Sequence, residues 1–193
     1  NSYENIFVVT LFTGLRQGEV LCLTWDCVNF DTGVLTINKQ MQLHQEKGMT
    51  PYQLVPTKNG KTRTITAAPF VMEHLKRQKV WQTEQRHLAG SLWQHSSLVF
   101  TDAQGNHLTK PTLYRAFKRA AASIGRPDAR FHDLRHSYAV AALRSGDDIK
   151  TVQGNLGHAT AAFTLDVYGH VTDQMKQASA DRMEAFIKSV SGE

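Results

Sequence analysis

From residue 69 onward the sequence carries the punctuation of helices, and this confines any substantial sheet to the first third of the chain. Pro69 opens a stretch running to Leu88, and Thr109-Lys110-Pro111 opens another that runs to Ile124 and closes at Gly125. Proline fits a first helical turn because the N–H it lacks would have no partner there, and glycine fits the end because it adopts the left-handed conformation without strain. His132 to Ser145 is expected to be helical, with Tyr138, Ala141 and Ala142 in its apolar pattern and Gly146 as its stop. Asp147 or Asp148 caps a short helix ending at Leu156, Ala161 to Tyr168 reads as another, and Gln174 to Val190 as a terminal amphipathic helix. In that last helix Met175, Ala178, Met183, Phe186 and Ile187 are the candidate apolar positions, equally compatible with packing on a neighbouring protomer and on the same domain, the latter being the expectation for the domain alone.

The N-terminal part is different. The uniformly apolar run Ile6 to Phe12 reads as a buried helix ending at Gly14, with a short helix from Gln17 to Leu23. Gly33 to Gln42 alternates as a strand, Tyr52 to Val55 as a second, and Thr62 to Thr66 as a third returning after an Asn59-Gly60 turn. Leu98 to Phe100 is a further short strand candidate, before a Gly105-Asn106 turn. The expected architecture is α+β, mainly helical, with a small antiparallel β-sheet near the N-terminal side.

With 193 residues, 41% hydrophobic and 20% charged, the chain is long enough for one sizeable core, so a single domain over 1–193 is expected. No apolar run reaches the roughly 20 residues of a spanning helix, and no signal peptide pattern opens the chain, so no membrane association and a cytoplasmic location are expected. Cys22 and Cys27 sit in an apolar stretch and read as reduced core residues. A net charge of +5 favours a polyanionic partner. The basic residues cluster as Lys58, Lys61 and Arg63, as Lys76, Arg77 and Lys79, and as Arg115, Lys118 and Arg119, each of which could equally be a solvated face.

Several segments carry chemistry-bearing side chains. Thr13-Gly14-Leu15-Arg16-Gln17-Gly18-Glu19 places Arg16 just past a buried helix, beside two glycines that let backbone approach a ligand. Glu19 either supports the site behind Arg16 or completes a helix start. In His132-Asp133-Leu134-Arg135-His136, helical spacing puts His132, Arg135 and His136 on one face. Such a face suits a phosphate, with Arg135 offering paired N–H groups, or a metal held by His132 and His136 as in a zinc hydrolase. Leu156-Gly157-His158 and Tyr168-Gly169-His170 place a histidine and a tyrosine near helix ends.

Taken in chain order, these segments resemble the phage integrase family, the tyrosine recombinases, over the whole chain. The resemblance rests on Arg16 in Thr-Gly-Leu-Arg, Lys58 beside the turn, His132 and Arg135 in His-x-Leu-Arg-His, His158 in Leu-Gly-His, and Tyr168 before Gly-His. It looks closest to integrases of phages and conjugative transposons. It implies a catalytic domain that cleaves and rejoins double-stranded DNA through a 3′-phosphotyrosyl intermediate, with no metal and no nucleotide cofactor. Tyr168 would be the nucleophile, His132 the base, Arg16, Arg135 and His158 the donors to the phosphate, and Lys58 the general acid, with Lys61 as the fallback. The family's additional N-terminal DNA-binding domain is expected to be missing from the chain, leaving weak DNA binding. A homotetramer on two synapsed sites is expected for the full-length protein and a monomer for the domain alone. A type IB topoisomerase shares the motif order, and a DNA-binding module without catalysis remains a third class. Arg135→Ala is expected to abolish cleavage with little loss of fold.

Overall fold

The computed structural model describes residues 3–43, 52–57, 60, 62–157 and 173–191. Two compact units divide at Tyr138, one spanning Asn1–Tyr138 and the other Ala139–Glu193. The fold is mainly helical with small antiparallel sheets.

In the first unit, α1 (Glu4–Thr13) is followed by α2 (Gln17–Val20) and a 3-10 turn at Trp25–Cys27. Gly14 ends α1 at φ +66°, and its N–H returns to the Thr10 carbonyl at 3.0 Å. Five strands come next: β1 (Val28–Asn29), β2 (Val34–Ile37), β3 (Lys39–Leu43), β4 (Tyr52–Pro56) and β5 (Arg63–Thr66). Helices α3 (Pro69–Ala89) and α4 (Lys110–Ser123) follow, and α5 (Asp133–Ser145) begins in this unit. Thr109 caps α4, its Oγ1 accepting from the Thr112 N–H at 3.2 Å. The core gathers Ile6, Val9, Leu15, Leu21, Leu35, Ile65, Leu75, Leu113 and Phe131, so it is built from every layer of the unit.

The strands depart from the expected pattern in two ways. The single strand expected over Gly33 to Gln42 is two strands that break at Asn38 and serve different sheets. β2 lies between β1 and β5, with Leu35 opposite Ile65 and Ile37 opposite Arg63, whereas β3 pairs with β4, Met41 opposite Leu54. Consequently Thr62 to Thr66 does not return along Tyr52 to Val55. The Gly60 N–H donates to the Thr57 carbonyl at 2.7 Å with φ +65° at Gly60, between β4 of one sheet and β5 of the other, while Lys58 and Asn59 lie outside the described residues.

The second unit holds the remainder of α5, α6 (Ile149–Leu156) and α7 (Asp173–Ser191). Asp148 caps α6 through the Thr151 N–H at 2.9 Å, and Gly157 ends it at φ +63°. On α5 the apolar pattern differs from expectation: Ala142 and Leu143 are buried, Tyr138 is half-buried and Ala141 is exposed. Of the candidate apolar positions on α7, Met183, Phe186 and Ile187 are exposed, as is Val190, and Ala178 is half-buried, so of the two packings left open the one on the same domain is not seen for the exposed three. The expected helix Ala161 to Tyr168 lies outside the described residues.

Candidate active site

The site is built around the turn that follows α1. Because Gly14 turns the chain in a left-handed conformation, Leu15 enters the core and Arg16 emerges at the start of α2 with its side chain 33% exposed. The expectation that both neighbouring glycines admit a ligand is corrected at Gly18. A Cβ there would stand 3.2 Å from the Met41 carbonyl oxygen, so Gly18 lets α2 approach β3.

Glu19 is buried at the centre of this region, its side chain 1% exposed. One carboxylate oxygen accepts from Arg16 Nη1 at 2.8 Å and from Arg63 Nη1 at 2.9 Å. The other accepts from the Arg16 backbone N–H at 2.8 Å and from Arg63 Nη2 at 2.7 Å. Glu19 therefore closes the first turn of α2 and also holds the Arg16 guanidinium. Burial alone would raise its pKa, but the paired hydrogen bonds and charge of Arg63, then Arg16, hold the carboxyl below its ordinary value. Glu19 is thus an anion at neutral pH. In the sequence Arg63 stands out only as part of a basic cluster with Lys58 and Lys61. The signal that could have found it is its phase, two residues from buried Ile65 on the same side of β5.

Arg135 comes from the other end of the unit. Only 2% exposed, it donates from Nη1 to the Gly14 carbonyl oxygen at 2.6 Å across 121 positions of sequence. That contact ties the start of α5 to the turn carrying Arg16. The three donors expected on one shared face are therefore graded: Arg135 is buried, His136 half-buried and His132 exposed. His132 is held from both sides. Phe131 packs edge-on against Phe117 and Phe7 at ring-centroid distances of 5.5 and 6.4 Å. Asp133 accepts from the Arg130 backbone N–H at 2.8 Å and from its Nη2 at 2.9 Å. The His132 ring meets His136 edge-to-face at 4.7 Å.

Although the residue as a whole is exposed, its ring is partly shielded from water against His136, and this desolvation, with the His136 and Arg135 charges beside it, holds the His132 imidazole below its ordinary value of 6.5. The neutral ring needed of a proton acceptor is then the main form at pH 7. If His132 serves as a proton acceptor, any activity that depends on it will have an acidic limb below pH 6.5, with activity lost as pH drops through that limb. An acidic limb centred above pH 7 would contradict this assignment.

Lys58, Lys61, His158 and Tyr168 lie outside the described residues. Among the described residues no three His, Cys, Asp or Glu side chains form a metal-binding group, so the zinc-hydrolase reading of His132 and His136 finds no third ligand there. Cys22 and Cys27 are buried and unpaired with each other, and burial pushes the Cys22 thiol up to about 12. Among the described residues no helix is long and apolar enough to cross a membrane.

Residues 2–175 match the phage integrase family. A XerC-like tyrosine recombinase of Caldanaerobacter subterraneus subsp. tengcongensis is 31% identical over 188 residues, covering 92% of this chain and 48% of its own length. The XerH site-specific recombinase bound to its difH substrate in a pre-cleavage complex shares 26% identity at a TM-score of 0.64, over 91% of this chain and 45% of that one. The Tn1549 transposon integrase in complex with transposon right end DNA superposes with a TM-score of 0.75 over 95% of this chain and 59% of that one. At 20% identity that last likeness is one of fold. The chain belongs to the phage integrase family, among the tyrosine recombinases. It spans about half the length of the curated relatives it matches.

Proposed function

We propose that the chain is the catalytic domain of a site-specific integrase that cleaves and rejoins double-stranded DNA through a 3′-phosphotyrosyl bond to Tyr168. The observation that carries this reading is the bond from buried Arg135 to the Gly14 carbonyl, which brings the segment of one phosphate-binding arginine against the turn that presents the other. XerH, to which the chain is similar, has a structure in complex with its DNA substrate before cleavage.

The phosphodiester is an anion whose charge grows in the pentacoordinate transition state. Guanidinium groups fixed in advance stabilise that charge without having to reorganise, which is the role assigned to Arg16 and Arg135, with His158 as a further donor. The Tyr168 phenol, with an unperturbed pKa of about 10, gives its proton to His132 as its oxygen bonds to phosphorus. The bond from phosphorus to the 5′ oxygen breaks, and Lys58, or Lys61 in its place, protonates the departing oxygen. Attack by the 5′ hydroxyl of a partner strand reverses these transfers and releases the tyrosine. The ester retains the bond energy, so neither a metal ion nor a nucleotide is called for.

The exposed apolar stripe of α7 supports packing of that helix onto a neighbouring protomer in a tetramer on two synapsed sites. The test of the function is incubation with a nicked suicide duplex carrying the cognate site, in excess chelator, followed by denaturing electrophoresis. A protein–DNA adduct that forms at the same rate with and without chelator is expected. Cleavage that stops on chelation and returns with zinc would overturn the proposal.

A further inference from the structure

We propose that Arg63 is a positioning residue for cleavage, holding the Glu19 carboxylate so that Arg16 keeps both its orientation and its positive charge for the scissile phosphate. This rests on the functional reading above and adds to it a residue outside the family resemblance.

Arg63 has the geometry of a built clamp. It lies on β5 in phase with the core residue Ile65, and its side chain is only 12% exposed. A guanidinium in such a place is costly unless paired, and Arg63 is paired in fork-to-fork fashion with both oxygens of Glu19. The strand is itself fixed, since Arg63 stands opposite Ile37 in the β2–β5 ladder. The clamp therefore joins the sheet to the first turn of α2.

Charge gives the clamp its consequence. Two guanidinium groups share the one Glu19 carboxylate, so Glu19 alone does not balance both, and of the two Arg16 is the more exposed. Each Glu19 oxygen takes one donor from Arg63 and one from Arg16. Without Arg63, the lone pairs it now occupies on both Glu19 oxygens would be open to a second guanidinium N–H of Arg16, drawing that group into a two-point ion pair and offsetting its charge. An arginine so neutralised is a poor ligand for a phosphate. Placement also matters directly, because a small displacement of a group that meets the transition state is enough to lose most of its effect.

The test compares the wild-type chain with Arg63→Met and Arg63→Lys on cognate-site suicide duplexes under single-turnover, DNA-saturating conditions. One duplex carries the ordinary scissile phosphodiester. The other carries a methylphosphonate there, in which a methyl group replaces one non-bridging oxygen and removes the negative charge. On the phosphodiester, Arg63→Met is expected to slow adduct formation by about 100-fold, with DNA affinity retained and partial recovery in Arg63→Lys. On the methylphosphonate the deficit relative to wild type should largely vanish, because the substrate no longer needs the Arg16 charge. Equal deficits on both duplexes would show a merely structural role, and no deficit on the phosphodiester would show no role, so either result overturns the proposal. Should the methionine variant not fold, the lysine variant carries the same comparison, since its single ammonium cannot grip both oxygens. Failure of the wild-type chain to form any adduct would instead remove the functional reading and this proposal with it.

Discussion

Arg135→Ala is expected to abolish DNA cleavage and, in the same variant, to lower the stability of the fold. The first effect follows from the transition state. Removing one fixed donor from developing negative charge typically costs about 100- to 1,000-fold in rate, and a guanidinium offers two N–H groups as well as charge. The second effect corrects what the sequence suggested, namely loss of activity with little loss of fold. Arg135 is 2% exposed and donates to the Gly14 carbonyl, so truncation leaves a cavity and deprives that oxygen of this donor. A hydrogen bond from a charged group contributes about 1.5–3 kcal/mol, so a destabilisation of that order is expected in urea unfolding. Arg135→Lys keeps charge but not the planar fork, and should recover stability more fully than activity. Single-turnover cleavage of Arg135→Ala within tenfold of wild type, measured on protein verified as folded, would show that this guanidinium does not meet the phosphate.

Tyr168→Phe should eliminate the covalent adduct altogether while leaving DNA binding in place. The substitution removes a single oxygen, and that oxygen is the atom that would bond to phosphorus. The remaining donors can still bind and polarise the phosphate, but phenylalanine offers no oxygen to attack it. The contrast with Arg135→Ala is diagnostic, since Arg135 also bonds the Gly14 carbonyl and its truncation is expected to cost stability as well as the reaction. Binding measured by mobility shift alongside denaturing electrophoresis separates the effects, and an adduct of undiminished yield in Tyr168→Phe would exclude this tyrosine as nucleophile.

The helices were legible because their ends are written in residues with only one good use. Gly14, Gly125, Gly146 and Gly157 all adopt positive φ, and Thr109 and Asp148 both cap with their own side chains. Strand pairing was not legible, and the break at Asn38 shows why. Buried Leu35, Ile37 and Met41 keep the same alternation through the break, so the hydrophobic pattern is blind to it. What changes there is the hydrogen-bonding partner, from β5 to β4, and partner choice is a property of the assembled unit.

The site was legible to a similar degree. Helical spacing gathered His132, Arg135 and His136, but which of them faces the interior depends on Phe131, whose contacts with Phe7 and Phe117 set the rotation of the α5 start. Glu19 reads as either a support behind Arg16 or the completion of a helix start, and its carboxylate both closes the first turn of α2 and pairs with the Arg16 guanidinium. Arg63 escaped because a basic residue between Lys61 and Ile65 looks like part of an exposed cluster until its strand phase is weighed. A buried arginine implies a buried acid, and Glu19, 44 positions earlier, is the acid that Arg63 meets.

The most direct measurement of the central claim is to isolate the adduct formed on a suicide duplex, digest both protein and DNA, and locate the residual nucleotide by mass spectrometry. The expected result is a 3′-linked nucleotide on Tyr168, together with a free 5′ hydroxyl on the departing strand. A nucleotide attached to any other residue, or a 5′-linked phosphate, would contradict the account.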